Sequence, residues 1–182
     1  YNDYSGSPRV LRTVIDGLLR EGVDVTLVSS RGGALDGIAS HSSARFRHIG
    51  YCYKFSTNPV VTMLRYSLVQ LLTFFVALRW TFSRDVTFYV NTILPVAPAL
   101  AGRLTGKRVV YHYHENASVK SAMYRFLSAM MQRLANDIIC VSDYQASLLR
   151  RRRRVTIVPN AVADKFARRM TPNAVQSFEK QT

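Results

Sequence analysis

His112 and His114 are the residues whose type and spacing most readily do chemistry in this chain. They lie two apart in the run Val109–Glu115 (VVYHYHE), so on an extended strand they share a face. Such a pair could begin a metal site. Zinc, however, needs three or four protein ligands, and no third or fourth one stands at a suitable spacing, so no metal is expected. His114 then reads either as a structural histidine at a strand end or as a group facing a ligand. Glu115 reads as a base or as a solvated acid leading into a helix, and Ser142 and Asp143 read as helix caps, with Asp143 the N-cap candidate. No nucleophile elbow or Ser-His-Asp order is present, which leaves hydrolase chemistry without support.

These residues close a repeated pattern. Val109–Glu115, Asp137–Ser142 (DIICVS) and Val155–Asn160 (VTIVPN) are apolar, largely β-branched runs that each end in polar residues. Strands of a parallel sheet are buried on both faces and read this way, and ligands bind just beyond their carboxyl ends. His114, Ser142 and Asn160 are therefore expected along one edge.

The elements between them alternate. Pro8, Val10, Leu11, Val14, Ile15, Leu18 and Leu19 have helical spacing, with Pro8 near the first turn and Gly22 past the end, so a helix is predicted over Pro8–Glu21. A strand at Val23–Ser29, an exit loop at Arg31–Ser43 and a strand at Phe46–Ile49 follow. Farther on, the pattern predicts a strand at Asp85–Val90, a loop at Asn91–Pro95 and a helix at Val96–Leu104. Strand Arg108–His112, turn His114–Ala117, helix Ser118–Leu134, strand Asp137–Val141, helix Asp143–Arg150 and strand Val155–Val158 complete it. The fold class expected is α/β, a Rossmann-like, doubly wound, mostly parallel sheet. Because Tyr1–Pro8 reads as a loop that should follow a strand, the chain is expected to lack the first strand of that sheet.

The length of 182 residues and a hydrophobic share of 48% suit one globular domain, expected over 1–162, with 163–182 the start of a linker or tail. A net charge of +14 points to an anionic partner or surface: phospholipid, nucleic acid or a phosphorylated small molecule. No RNP-like or zinc-finger pattern appears, and the Arg150–Arg154 run lacks interleaved aromatics, so nucleic acid ranks last. That run precedes a strand and belongs to the edge opposite His114 and Asn160. Cys52 and Cys140 are far apart, and the second sits in an apolar run, as suits a reduced cytoplasmic thiol.

Pro59–Phe82 is apolar nearly all round and close to a membrane span in length, but Arg65, Gln70 and Arg79 interrupt it. A long buried or interfacial helix is expected in preference to a span.

Several phrases in order resemble one family. They are the Ser5-Gly6-Ser7 loop, Gly22–Val28 (GVDVTLV), Asp85-Val86, Val110–Glu115 (VYHYHE), Asn136–Ser142 (NDIICVS) and Val158–Val162 (VPNAV). Together they resemble the amino-terminal, acceptor-side domain of GT-B-fold retaining glycosyltransferases, the large group that includes sucrose synthase and phosphatidylinositol mannosyltransferase. The chain departs from that pattern in having Ala161 where Gly is frequent after the Asn, and a single Gly6 where many members carry two.

The resemblance implies transfer of a sugar from a nucleotide-sugar donor to a glycolipid or polysaccharide acceptor, in a cleft between two domains. The carboxy-terminal domain, which holds most of the donor site, is missing from this chain, so the chain alone is expected to be inactive. No metal or other cofactor is implied. His114 matches the family histidine that faces the transferred sugar and is the catalytic candidate. Ser5, Gly6 and Ser7 would form the donor-phosphate loop, where a small residue at a helix start lets backbone N–H groups approach the diphosphate. Asn91, Glu115, Asn116, Ser142 and Asn160 would line the acceptor side or cleft edge. The alternative is a non-enzymatic basic α/β module docking on membrane or nucleic acid. A Rossmann dehydrogenase is disfavoured, since no GxGxxG opens a strand-to-helix turn. Localisation is expected to be cytoplasmic, peripheral on the inner face of the plasma membrane.

Overall fold

The structure is a computed structural model that describes residues 2–41, 44–54, 56–115, 121–150 and 154–160. The expected tail at 163–182, Asn116, Ala161, Val162 and Arg151 to Arg153 lie outside the described residues.

Helix and strand alternate as the sequence pattern requires. In chain order come α1 (Gly6–Arg20), β1 (Val25–Ser30), β2 (Phe46–Tyr51), α2 (Pro59–Ala77), β3 (Thr87–Asn91), α3 (Val96–Leu104), β4 (Arg108–Tyr113), α4 (Ala122–Leu134), β5 (Asp137–Cys140), α5 (Asp143–Ser147) and β6 (Val155–Ile157). Every strand pair is parallel. The α/β Rossmann-like class holds, but the strands form two sheets, β1-β2 and β3-β4-β5-β6.

Two hydrophobic clusters hold the layers together. Ile15 of α1 packs with Leu27 of β1, Leu35 and Ile38. The larger cluster sets Val109, Tyr111 and Tyr113 of β4 against Leu127 and Met131 of α4, with Ala99 of α3 and Cys140 of β5. α3 approaches the sheet so closely that a Cβ on Gly102 would stand 3.0 Å from Val109 and 3.1 Å from Phe88. A side chain there would have to push Val109 and Phe88 aside by a few tenths of an ångström.

The boundaries differ from the sequence reading where local hydrogen bonding decides them. α1 begins at Gly6 rather than Pro8, because Ser5 is already extended as N-cap. It ends where Gly22, at φ 78, takes the left-handed conformation that glycine adopts cheaply. Arg31–Ser43 contains a 3₁₀ helix, Asp36–His41, that the Gly and Ser content concealed. The long helix ends at Ala77, followed by the 3₁₀ turn Leu78–Trp80. α4 begins at Ala122, while the predicted start at Ser118 lies outside the described residues. Asp143 is not the N-cap of α5: the Ser142 side chain accepts from Gln145 N, and Asp143 occupies the first turn. Of the two alternatives expected for α2, the buried one does not hold: only Thr73 and Ala77 are buried along it, so it is a surface helix.

Both cysteines are free, Cys52 exposed and Cys140 buried. Burial pushes the Cys140 thiol up to about 11, as suits an inert core residue.

Candidate active site

Because all strands of the larger sheet are parallel, Asn91, His114, Ser142 and Asn160 all follow or end their strands on the same edge. Asn91 is the last residue of β3 and pairs in register with His112 of β4. His114 lies just past the end of β4.

Asn91 joins three segments at this edge. Its Nδ2 donates to the Ser7 carbonyl at 3.4 Å, and its Oδ1 lies 3.0 Å from His114 Nε2. The start of α1, the end of β3 and the end of β4 therefore meet at one side-chain amide. With Asn91 oriented this way, His114 Nε2 carries the proton and donates, which leaves Nδ1 as an acceptor. Burial, then the nearby His112, holds the His114 imidazole well below its usual range, at about 4. At neutral pH it is an uncharged hydrogen-bonding group.

Behind it lies His112, stacked on His114 with ring centroids 4.1 Å apart. His112 is buried, and its Nδ1 sits 2.6 Å from the Tyr89 hydroxyl. Burial raises the Tyr89 phenol to about 12, so that hydroxyl keeps its proton and can donate it to Nδ1. Among the described residues His112 Nε2 finds no partner, an orphan buried polar atom beside the site. Among the described residues no group of three His, Cys, Asp or Glu gathers in a metal-binding arrangement.

Two further features fix the geometry. Gln145, buried in the first residues of α5, donates from Nε2 to the His114 carbonyl at 2.8 Å while its Oε1 accepts from Val141 N at 3.2 Å. Thr92, the residue after Asn91, has φ 72, and its N–H donates to the His112 carbonyl at 3.0 Å. A left-handed β-branched residue is strained, and here the strain sits against the site.

The predicted residues thus sort themselves. Ser7, Asn91 and His114 come together. Ser5 and Gly6 are exposed at the start of α1, and a Cβ on Gly6 would meet nothing within 4 Å, so the approach to the backbone is open. The Ser5 amide and hydroxyl are both held by the Asp3 carboxylate. The Glu115 carboxylate accepts from His114 N at 3.3 Å. Ser142 spends its hydroxyl on Gln145 N as a helix cap, and Asn160 is exposed three residues beyond β6. Neither hydrogen-bonds to Asn91 or His114 in the described structure. Sequence reasoning missed Tyr89, Thr92 and Gln145, whose types carry no motif; Tyr89 was findable only as the β3 neighbour of the residue it touches.

Arg154 lies at the opposite edge. It lines a shallow basic cleft with Arg103, Lys107, Arg108, Asn136 and Asp137, at the amino ends of β4, β5 and β6.

An open helix start linked through one amide to a neutral strand-end histidine can bind an anion and hydrogen-bond a neutral hydroxyl side by side. No curated protein matches the chain at a significant level. The family model described as Glycosyltransferase Family 4 matches residues 4–166, a span that contains every residue of this edge, and the chain belongs to that glycosyltransferase family as a GT-B amino-terminal domain.

Proposed function

We propose that this domain is the acceptor-side half of a retaining glycosyltransferase, of the group that includes sucrose synthase and phosphatidylinositol mannosyltransferase. It moves a sugar from a nucleotide-sugar donor to a glycolipid or polysaccharide acceptor in the cytoplasm. The observation that carries the reading is the Ser7–Asn91–His114 connection, which sets an open helix start and a neutral imidazole at one edge. The Ser5-Gly6-Ser7 loop faces the donor diphosphate with the backbone N–H groups of Gly6 and Ser7, the Ser5 amide being held by Asp3. His114 Nδ1 accepts from a hydroxyl of the transferred sugar and holds it for reaction. In the step, the bond from the anomeric carbon to the diphosphate oxygen breaks as the bond to the acceptor oxygen forms, and the acceptor proton leaves with the diphosphate. No resident metal or cofactor is required. Glu115, Asn116, Ser142 and Asn160 lie toward the acceptor or the cleft edge. A carboxy-terminal domain completes the donor pocket, so the 182-residue chain alone does not turn over.

Nucleotide release tests this reading. The polypeptide extended through its carboxy-terminal domain is given a panel of nucleotide-sugars with lipid and saccharide acceptors. Acceptor-dependent release of nucleoside diphosphate is expected, and none from the 182-residue chain. Release from no donor in the panel, or full turnover by the chain alone, would contradict it.

A further inference from the structure

α2 is inside out for a helix on the surface of a domain in water. Its inward side, beside the buried Ala77, is anchored by polar groups. The Tyr66 hydroxyl and Gln70 Nε2 donate to the Leu94 carbonyl at 2.8 and 3.1 Å, Gln70 Oε1 accepts from Ala97 N at 2.8 Å, and Thr73 is buried with its hydroxyl on the Val69 carbonyl. Its outward side is apolar: Leu64 is 65% exposed, Leu68 66%, Leu71 55% and Phe75 60%. A soluble amphipathic helix arranges the two faces the other way round. The apolar surface has counterparts on the two helices packed in series beside it, where Leu104 of α3 and Phe126 of α4 are exposed. Exposed apolar surface on this scale marks an interaction face.

Charge selects the partner. α2, α3 and α4 contain no Asp or Glu. From Asp36 to Asp85 the chain has no acidic residue between those two, while Arg65, Arg79 and Arg84 are exposed in that span, as Arg103 is at the end of α3. A helical layer that exposes apolar side chains and carries only basic charges matches an anionic lipid leaflet, where leucine and phenylalanine enter the acyl boundary and arginine reaches the headgroups. We propose that the α2–α3–α4 layer docks on such a leaflet with α2 lying in the plane of the interface. α2 is long and apolar enough to span, but Gln70 ties it to the first turn of α3 on both sides of its amide. Spanning would tear out those bonds and leave the backbone groups of Leu94 and Ala97 unpaired. This inference goes beyond the transfer reaction and stands or falls without it.

Sedimentation of the purified chain with vesicles is the test. Vesicles of phosphatidylcholine alone are compared with vesicles that also contain phosphatidylglycerol, in low and high salt. Binding is expected to be at least about tenfold stronger to the anionic vesicles, and to weaken as salt screens the arginines. The combined variant Leu64→Gln, Leu68→Gln, Phe75→Gln alters exposed positions, so it should melt like the parent chain while losing about tenfold or more of its vesicle binding. A second variant, Arg79→Gln with Arg84→Gln, should lose the preference for anionic lipid. Transfer to a soluble acceptor by the extended enzyme should be unchanged in both, which separates failure of docking from failure of catalysis. Equal binding to both vesicle types that salt leaves unmoved would overturn the proposal in favour of a span. Absence of binding, or a concentration-dependent dimer that the leucine variant abolishes, would assign the face to a protein partner instead and equally overturn it.

Discussion

Asn91 Oδ1 accepts from His114 Nε2 at 3.0 Å, across the ends of adjacent parallel strands. The bond fixes the histidine tautomer and its ring orientation, and the other end of the same amide holds the start of α1 through Ser7. Anion binding at the helix start and hydroxyl binding at the imidazole are therefore mechanically linked.

Asn91→Ala should lower transfer and also weaken donor binding, because it frees both His114 and the Ser7 carbonyl. Losing one hydrogen-bonding partner at each end is worth about 0.5–1.5 kcal/mol apiece. Steady-state kinetics should show kcat falling and the donor KM rising together. A change in only one would show that the two ends are not coupled through Asn91.

Gly6→Val should leave the melting temperature nearly unchanged, since the new Cβ meets nothing within 4 Å. It should raise the donor KM by shielding the open backbone from the diphosphate. Unchanged donor affinity, measured by titration with the nucleoside diphosphate, would remove the Ser5–Ser7 loop from the site.

Stability should depend on His114 in a defined pH window. The unfolded imidazole takes a proton near 6.5, whereas the folded one resists it down to about 4. The unfolded state thus binds more protons across that window, so stability is fully present above it and falls as pH drops through it. His112, its imidazole also lowered by burial, adds in the same direction. Melting curves from pH 4 to pH 7 should fall less steeply with acid for His114→Asn than for the parent. Parallel curves would show that His114 is not buried against its charge.

Thr92→Gly should stabilise the domain, because glycine takes φ 72 without the roughly 1–2 kcal/mol that a left-handed side-chain-bearing residue costs. Gln145→Leu should do the opposite by about 1–3 kcal/mol, leaving the His114 carbonyl and Val141 N without their partner. Urea unfolding midpoints for both variants check the pair of signs.

The sequence exposed the strands of the larger sheet because double-sided burial writes itself as β-branched runs: the strands expected at Arg108–His112 and Asp137–Val141 form at Arg108–Tyr113 and Asp137–Cys140. From that alone, the common edge of His114, Ser142 and Asn160 followed, while Asn91 came only with the family resemblance. What stayed hidden was side-chain direction. Gln70 in an apolar run looked like a flaw in a span, yet it is the residue that anchors α2 to α3. Ser142 was legible as a helix cap, but spacing could not show that Asn91 reaches two segments at once, since short polar residues at strand ends look alike. Gln145 and Tyr89 carry no pattern, because what makes them matter is a neighbour more than 20 residues away.

The most direct measurement of the central claim is the transfer rate of His114→Ala in the enzyme extended through its carboxy-terminal domain, at saturating donor and acceptor. With the fold checked by circular dichroism, kcat should fall about tenfold to a hundredfold, the size of one or two hydrogen bonds realised in the transition state. A folded variant with an unchanged kcat would contradict the placement of the sugar at this strand end.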